Sequence, residues 1–380
     1  MSRKGENIYR RKDGRWEGRY IREYSLEGRA HFGYVYGKTY AETKEKLSEC
    51  RARMLLPGPE KDRLSVSYET ILLRWLYASR LNVKESSYAR YYELVHTHLI
   101  PSMGKWKIDK IGTLMVEQYI AHLLTQGRTD GTGGLAPKTA ADILSIIKNS
   151  MQFAAEQGYT TSCNLNKIYV KKDAPEIRVF TADEQNRLKA VLLADTDPVK
   201  MGILLCLYTG IRIGELCALR WKHLRPKQGI LEIRYTLQRV KNTDMTEDHN
   251  QKTKIIITEP KSTFSVRDIP LTAFMAKTAL PFEAPEEAFI LTGKEDHYME
   301  PRTVQNRFQA CLKEAEIPHT NFHTCRHTFA TRCVERGVDI KSLSEILGHA
   351  NVNITLNRYV HSSFEWKREN MNKLEESADY

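Results

Sequence analysis

At 380 residues the chain exceeds one average domain, and an apolar fraction of 41% is enough for several packed cores. A net charge of +11 favours a polyanionic partner. Seven cysteines, an odd number without framework spacing, predict a reducing compartment. No apolar run approaches the ~18 residues of a membrane span, and the opening MSRKGENIYRRK lacks the apolar core of a signal peptide, so a soluble cytoplasmic protein without a membrane partner is expected.

Three regions are expected in chain order. In the first, residues 1–60, Asp13-Gly14 predicts a hairpin turn between two short alternating segments, and HFGYVYG (31–37) a third strand. Thr39 and Glu42 form a capping-box pattern for a helix running to about Met54. On the second segment Trp16, Gly18 and Tyr20 share one face, while Arg15, Glu17 and Arg19 share the other. One face packs and the other is free to meet DNA. Basic residues crowd here, and Arg10, Arg11, Lys12, Arg15 and Arg19 are the candidate DNA contacts, because a two- or three-stranded sheet fits the major groove.

The second region, 64–165, reads as helices over 66–81, 85–98, 113–126 and 137–157. The last carries Ile143, Leu144, Ile146, Ile147, Met151 and Phe153 near a 3.6 period, with Pro137 in its first turn. RTDGTGGLAP (128–137) is too rich in glycine to be anything but a loop. Residues 57–63 and 166–178 read as linkers, the second basic enough to lie along a phosphate backbone.

The third region, 175–380, opens with a helix cap at Thr181–Glu184. An apolar helix (MGILLCLY) then delivers Arg212. Strands are expected near 229–237, 254–258 and 265–271, and helices over most of the rest, including the tail after Tyr359. The fold class is therefore α+β and multidomain: a small N-terminal three-stranded sheet with a helix, a helical domain, and a mainly α domain with a small β-sheet.

Three strings carry the chemistry: TGIRIGE (209–215), HTCRHTFAT (323–331) and LGHANVNITLNRYVH (347–361). A nucleophile attacking a phosphodiester builds negative charge on the non-bridging oxygens, and two planar guanidinium forks can hold both, a role that suits Arg212 and Arg326. A tyrosine hydroxyl with a pKa near ~10 attacks phosphorus poorly at neutral pH, so a neighbouring imidazole or a strongly positive field must help Tyr359 lose its proton. His323 and His349 are the candidates. The departing deoxyribose oxygen needs a proton, and Lys261 in PKSTFSVRDIPL is placed for that, with Lys252 and Lys254 in QKTKIIIT as alternatives. Glu215 reads as a structural partner of the arginine region. Taken singly, each of these residues has an ordinary structural reading; as an ordered set in these strings they point to catalysis. His323, Cys325, His327, Cys333, His349 and His361 crowd one region, but CxxC and HExxH spacings are missing, so neither metal nor cofactor is expected. His327 and Cys325 are expected to pack inside the helix carrying His323 and Arg326.

On these residues the chain resembles the tyrosine recombinase (phage integrase) family, most closely the integrases of conjugative transposons. The resemblance implies a bacterial protein whose catalytic set is Arg212, Lys261, His323, Arg326, His349 and Tyr359. It implies an N-terminal domain (1–60) for arm-type DNA sites, a core-binding domain (64–165) and a catalytic domain (175–380) with a C-terminal tail helix, docked in cis or donated to a neighbouring protomer. The implied reaction is site-specific integration and excision through a 3′-phosphotyrosine and a Holliday junction. The implied partners are double-stranded DNA at core and arm sites, a homotetramer on that DNA, and an excision factor or DNA-bending protein. The competing readings are a cellular chromosome-resolution recombinase, a type IB topoisomerase and a non-catalytic DNA-binding regulator. The basic N-terminal sheet argues against the first.

Overall fold

The computed structural model describes residues 7–24, 30–55, 66–159, 161, 163–171, 177–243, 252–260, 263–359, 368 and 372. The chain divides into two units, Met1–Lys172 and Asp173–Tyr380.

The first unit opens with the antiparallel sheet β1 (Ile8–Arg10), β2 (Trp16–Tyr24) and β3 (Ala30–Gly37), in that order. The turn at Asp13-Gly14 closes as expected, with the Arg11 N–H donating to the Arg15 carbonyl at 2.8 Å. Helix α1 (Tyr40–Leu55) covers the Trp16 face, where Ile8, Thr43 and Leu47 are buried and the Trp16 ring meets Tyr40 edge-on at 5.2 Å. The capping box is half made. Thr39 Oγ1 accepts the Glu42 N–H at 3.2 Å, but the Glu42 carboxylate takes the Lys38 N–H at 2.8 Å.

Next come α2 (Tyr68–Arg80), α3 (Glu85–Leu94), α4 (Thr113–Gln126) and α5 (Pro137–Glu156). Helix α3 runs on beyond its expected end, through a π-helical turn (Val95–Leu99) into a last turn, Ile100–Met103. The widened turn lies just before Pro101, whose ring would clash with the carbonyl four residues back in a regular helix. The apolar stripe of α5 is buried at Ile143, Leu144, Ile146, Ile147 and Met151, whereas Phe153 is only half-buried. Each full burial of such a side chain contributes roughly 1.5–3 kcal/mol. Tyr68 on α2 and Ser150 on α5 share a buried hydrogen bond of 2.8 Å, which satisfies the two hydroxyls and fixes the register of the pair.

In the second unit α6 (Ala182–Leu193) starts at a complete Thr181–Glu184 capping box. Helix α7 (Pro198–Thr209) is buried on nearly every side, as a helix apolar all round must be. It runs into α8 (Ile213–Ala218). The stretch expected as one strand over 229–237 is two strands in different sheets. β5 (Ile230–Ile233) lies between β4 (Leu224–Arg225) and β8 (Arg267–Pro270), while β6 (Thr236–Lys241) pairs with β7 (Thr253–Thr258). Arg234 sits at the break and donates to the carbonyls of Ile233 and Arg267 and to Asp268, which turns the chain out of the first ladder. The helices α9 (Ala273–Ala279), α10 (Pro301–Glu314), α11 (His323–Glu335), α12 (Ile340–Leu347) and α13 (Val352–Tyr359) complete the unit. The expected tail helix lies outside the described residues, apart from Arg368 and Asn372, which are helical. Among the described residues no helix is long and apolar enough to cross a membrane.

Candidate active site

The site is built where α7 ends. Gly210 closes that helix at φ +68°, and a Cβ there would fall 2.6 Å from Phe329 on α11 and 2.9 Å from Leu347 on α12. Only glycine allows this turn and this contact together. Two residues later Arg212 stands extended ahead of α8, its backbone N–H donating to Glu215 Oε2 at 2.9 Å and its Nη1 to Glu215 Oε1 at 2.7 Å. Arg212 Nη2 reaches the Gly348 carbonyl at 3.3 Å. From β8, Arg267 donates to both Glu215 oxygens at 3.1 and 3.0 Å. Glu215 is only 2% exposed, and burial alone would push its carboxyl up. The charges of Arg267 and Arg212 outweigh burial and hold it below the usual carboxylate range. Its structural role is as expected. Arg267, which no local string singles out, is the second clamp.

Arg326, on α11, is also 2% exposed. Its Nη1 donates to the Gly210 carbonyl, and its Nη2 to the Leu347 carbonyl and His349 Nε2, all at 2.8 Å. Burial, helped by the charge of Arg212, brings this guanidinium down to about 9. Because a guanidinium only donates, His349 Nε2 accepts. The ring proton therefore sits on Nδ1 and donates to Thr355 Oγ1 at 2.8 Å. His349 is pushed down to about 3 by burial and then by Arg326 and Arg212, so it is a neutral ring at pH 7.

Tyr359 ends α13 with 5% exposure, packed against Leu343 and Leu347. Burial raises its pKa against the lowering pull of Arg326 and Arg358. Its hydroxyl lies 2.9 Å from Nδ1 of His327, not of His323 or His349. The expectation that His327 packs inside its helix is therefore corrected. It is half-buried and touches the nucleophile's oxygen, because α11 turns the face carrying residues 323 and 327 toward α13. The i, i+4 spacing of the two histidines is the available signal, since it stacks them on one face. His323 meets the His327 ring edge-on at 4.6 Å, and both line a cavity of about 380 Å³ with Ile211, Ile213, Gln305, Asn321 and Phe322. His323 is lowered to about 4 by burial and then His327, and His327 to about 4 by burial and then Arg358 and Arg326. Cys325 is buried, as expected. Lys261 and His361 lie outside the described residues. Of the alternatives to Lys261, Lys252 is exposed and Lys254 lies on β7 opposite Val240.

In the first unit, strand register sets Arg19 and Glu17 opposite Tyr34 and Tyr36. The Arg19 guanidinium lies 3.3 Å over the Phe32 ring, and those of Arg11 and Arg15 lie 5.5 and 5.8 Å from the Tyr36 centroid. Tyr9, Phe32, Tyr34 and Tyr36 are exposed beside them. Sequence reasoning misses this aromatic row, although the spacing of 32, 34 and 36 in HFGYVYG puts all three on one strand face. Arg10 departs from the expected group: it shares a strand face with buried Ile8, opposite the aromatic row, while Lys12 sits in the turn. Arg11 pairs with Glu17 at 2.6 Å and Arg15 with Asp13 at 2.8 Å, so part of the expected positive face is neutralised within the hairpin.

Concentrated positive charge in a half-dry pocket beside a protonated phenol suits enzymes that transfer a phosphodiester to a tyrosine oxygen. Two family profiles agree with that class: "Phage integrase family" matches residues 178–365, and "Phage integrase, N-terminal SAM-like domain" matches residues 67–124. The chain belongs to the phage integrase family, the tyrosine recombinases, which break and rejoin DNA. It is similar to a "Tyrosine recombinase XerC-like" protein of Caldanaerobacter subterraneus subsp. tengcongensis, at 26% identity covering 86% of this chain and 87% of the relative. It is also similar to the "Transposase from transposon Tn916" of Enterococcus faecalis, at 24% identity over 96% and 94% of the two chains. Among solved structures, the Tn1549 transposon integrase in complex with transposon right-end DNA shares the fold, with a TM-score of 0.66 at 22% identity over 81% of this chain and 99% of that one.

Proposed function

We propose that this recombinase integrates and excises a mobile DNA element, with Tyr359 as nucleophile and Arg212 and Arg326 as the fork that neutralises the phosphate. The observation that carries the reading is that Arg212, Arg326 and His349, from three separate segments, meet at the end of α12, where Arg212 bonds the Gly348 carbonyl and Arg326 bonds the Leu347 carbonyl and His349, while Tyr359 on α13 lies in the field of Arg326. Tyr359 attacks phosphorus, a 3′-phosphotyrosine forms and a 5′-hydroxyl departs, protonated by Lys261 or by its neighbours Lys252 or Lys254. A 5′-hydroxyl of the partner duplex then reverses the attack. Each protomer contributes one tyrosine, and exchange between two duplexes cuts four strands, so the working assembly is a homotetramer passing through a Holliday junction. Residues 1–60 act as the arm-site domain, 64–165 as the core-binding domain and 175–380 as the catalytic domain, in the cytoplasm of a bacterium, with an excision factor or DNA-bending protein as the further partner. The basic, aromatic N-terminal sheet supports a mobile-element role over chromosome resolution, since it supplies a second DNA-contacting surface.

The test is a nicked suicide duplex carrying the ends of the element that encodes the gene, incubated in excess EDTA and resolved on a denaturing gel. Wild type is expected to give an EDTA-resistant covalent adduct, and Tyr359→Phe to bind the DNA equally well with no adduct. Adduct formed by Tyr359→Phe would assign the nucleophile elsewhere.

A further inference from the structure

We propose that His327, rather than His323 or His349, takes the proton from Tyr359 when the phenol attacks phosphorus and returns it when the strand is resealed. The inference rests on the recombinase reading and deepens it. His327 Nδ1 stands 2.9 Å from the tyrosine oxygen, within direct proton-transfer reach. A protonated phenol donates to that nitrogen, which leaves the ring proton of neutral His327 on Nε2. His349 is engaged at both ring nitrogens, since Nε2 accepts from Arg326 and Nδ1 donates to Thr355. The ring contact of His323 is with His327, 4.6 Å away, not with the phenol.

The step balances. An oxygen lone pair of Tyr359 forms the O–P bond, and the phenolic proton moves to His327 Nδ1. The P–O5′ bond breaks with its electron pair going to the 5′-oxygen, which takes a proton from the lysine acid. Imidazolium His327, at the cavity it shares with His323, keeps the Nδ1 proton for the return. On resealing, the deprotonated lysine takes the proton of the incoming 5′-hydroxyl as its oxygen forms the new P–O bond, the bond from phosphorus to the Tyr359 oxygen breaks with its electron pair going to that oxygen, and His327 protonates it.

The surroundings tie this base to its substrate. The groups facing the pair are His323 and Arg326 on α11 and Arg358 on α13, while α12 offers Leu343 and Leu347; His349 and Arg212 lie one step further, around Arg326. Burial, and then the charges of Arg358 and Arg326, make His327 a weak base that stays neutral. An arriving phosphodiester anion cancels part of that field and strengthens the base only when DNA is in place.

The decisive measurement is the pH dependence of single-turnover adduct formation on the suicide duplex by the full chain, comparing wild type, His327→Asn, His327→Gln and His323→Asn. Both His327 variants are expected to cleave about 10²–10³-fold more slowly near pH 7, a size typical of losing a general base. Their rates should climb about tenfold per pH unit toward pH 9, as solvent supplies phenolate, while wild type stays nearly flat. Rescue by alkali separates loss of a base from loss of fold, because a misfolded site is not restored that way. A flat profile at near wild-type rate in the His327 variants, or the slope appearing in His323→Asn instead, overturns the assignment. Absence of any Tyr359-dependent adduct from wild type overturns the recombinase reading along with it.

Discussion

Glu215 organises the charge of the site. One buried carboxylate receives Arg212 from its own helix start and Arg267 from β8, so it fixes two guanidiniums at the cost of one negative charge. Breaking such a buried pair strands a charge, which typically costs about 3–5 kcal/mol. Arg326 is held by two carbonyls, a neutral imidazole and the Tyr359 hydroxyl, and burial brings it down to about 9 despite the more distant charge of Glu215, so among the described residues no anion is bonded to it directly. A phosphate between Arg212 and Arg326 would supply one. Arg212→Lys should therefore leave DNA binding nearly intact and lower adduct formation by about 10²–10³-fold, because a point charge cannot replace a fork held by Glu215 and aimed at the Gly348 carbonyl. Rates within a factor of a few of wild type, measured in single turnover, would remove Arg212 from the chemistry.

The elements matter through their ends. α7 stops at Gly210 and α12 at Gly348, both left-handed at φ +68° and +67°, and each glycine gives its carbonyl to a site arginine. Two helix C-termini thus point partial negative charge at Arg212 and Arg326. Gly210→Ala should lower stability by about 2–4 kcal/mol, combining left-handed strain with a clash at Phe329 and Leu347. Thermal unfolding of the full chain checks this, with an unchanged melting temperature as the contrary result. Periodicity makes α4 and α5 legible in the sequence almost to the residue, because apolar spacing and flanking Gly and Pro are local. The break at Arg234 is not legible, since its cause is hydrogen bonding to β8, 33 and 34 residues away in the chain.

At the scale of the whole chain, a net charge of +11 is divided between two units, and the first carries an exposed row of aromatics with Arg19 stacked among them. Guanidinium and aromatic faces together suit a nucleic-acid surface. Deleting residues 1–60 is expected to spare cleavage of a core-site suicide duplex while weakening assembly on long DNA, measured by gel shift. Equal assembly by the truncated chain would refute the arm-site role. The class of chemistry is legible from residue order, because Arg212, His323, Arg326, His349 and Tyr359 sit in local strings whose residue types suit a phosphodiester transition state. Which imidazole meets the tyrosine, what binds Glu215 and where Arg10 lies became visible only in three dimensions. Those are outcomes of how helices rotate against one another and how strands register, and distant packing fixes them rather than neighbouring residues.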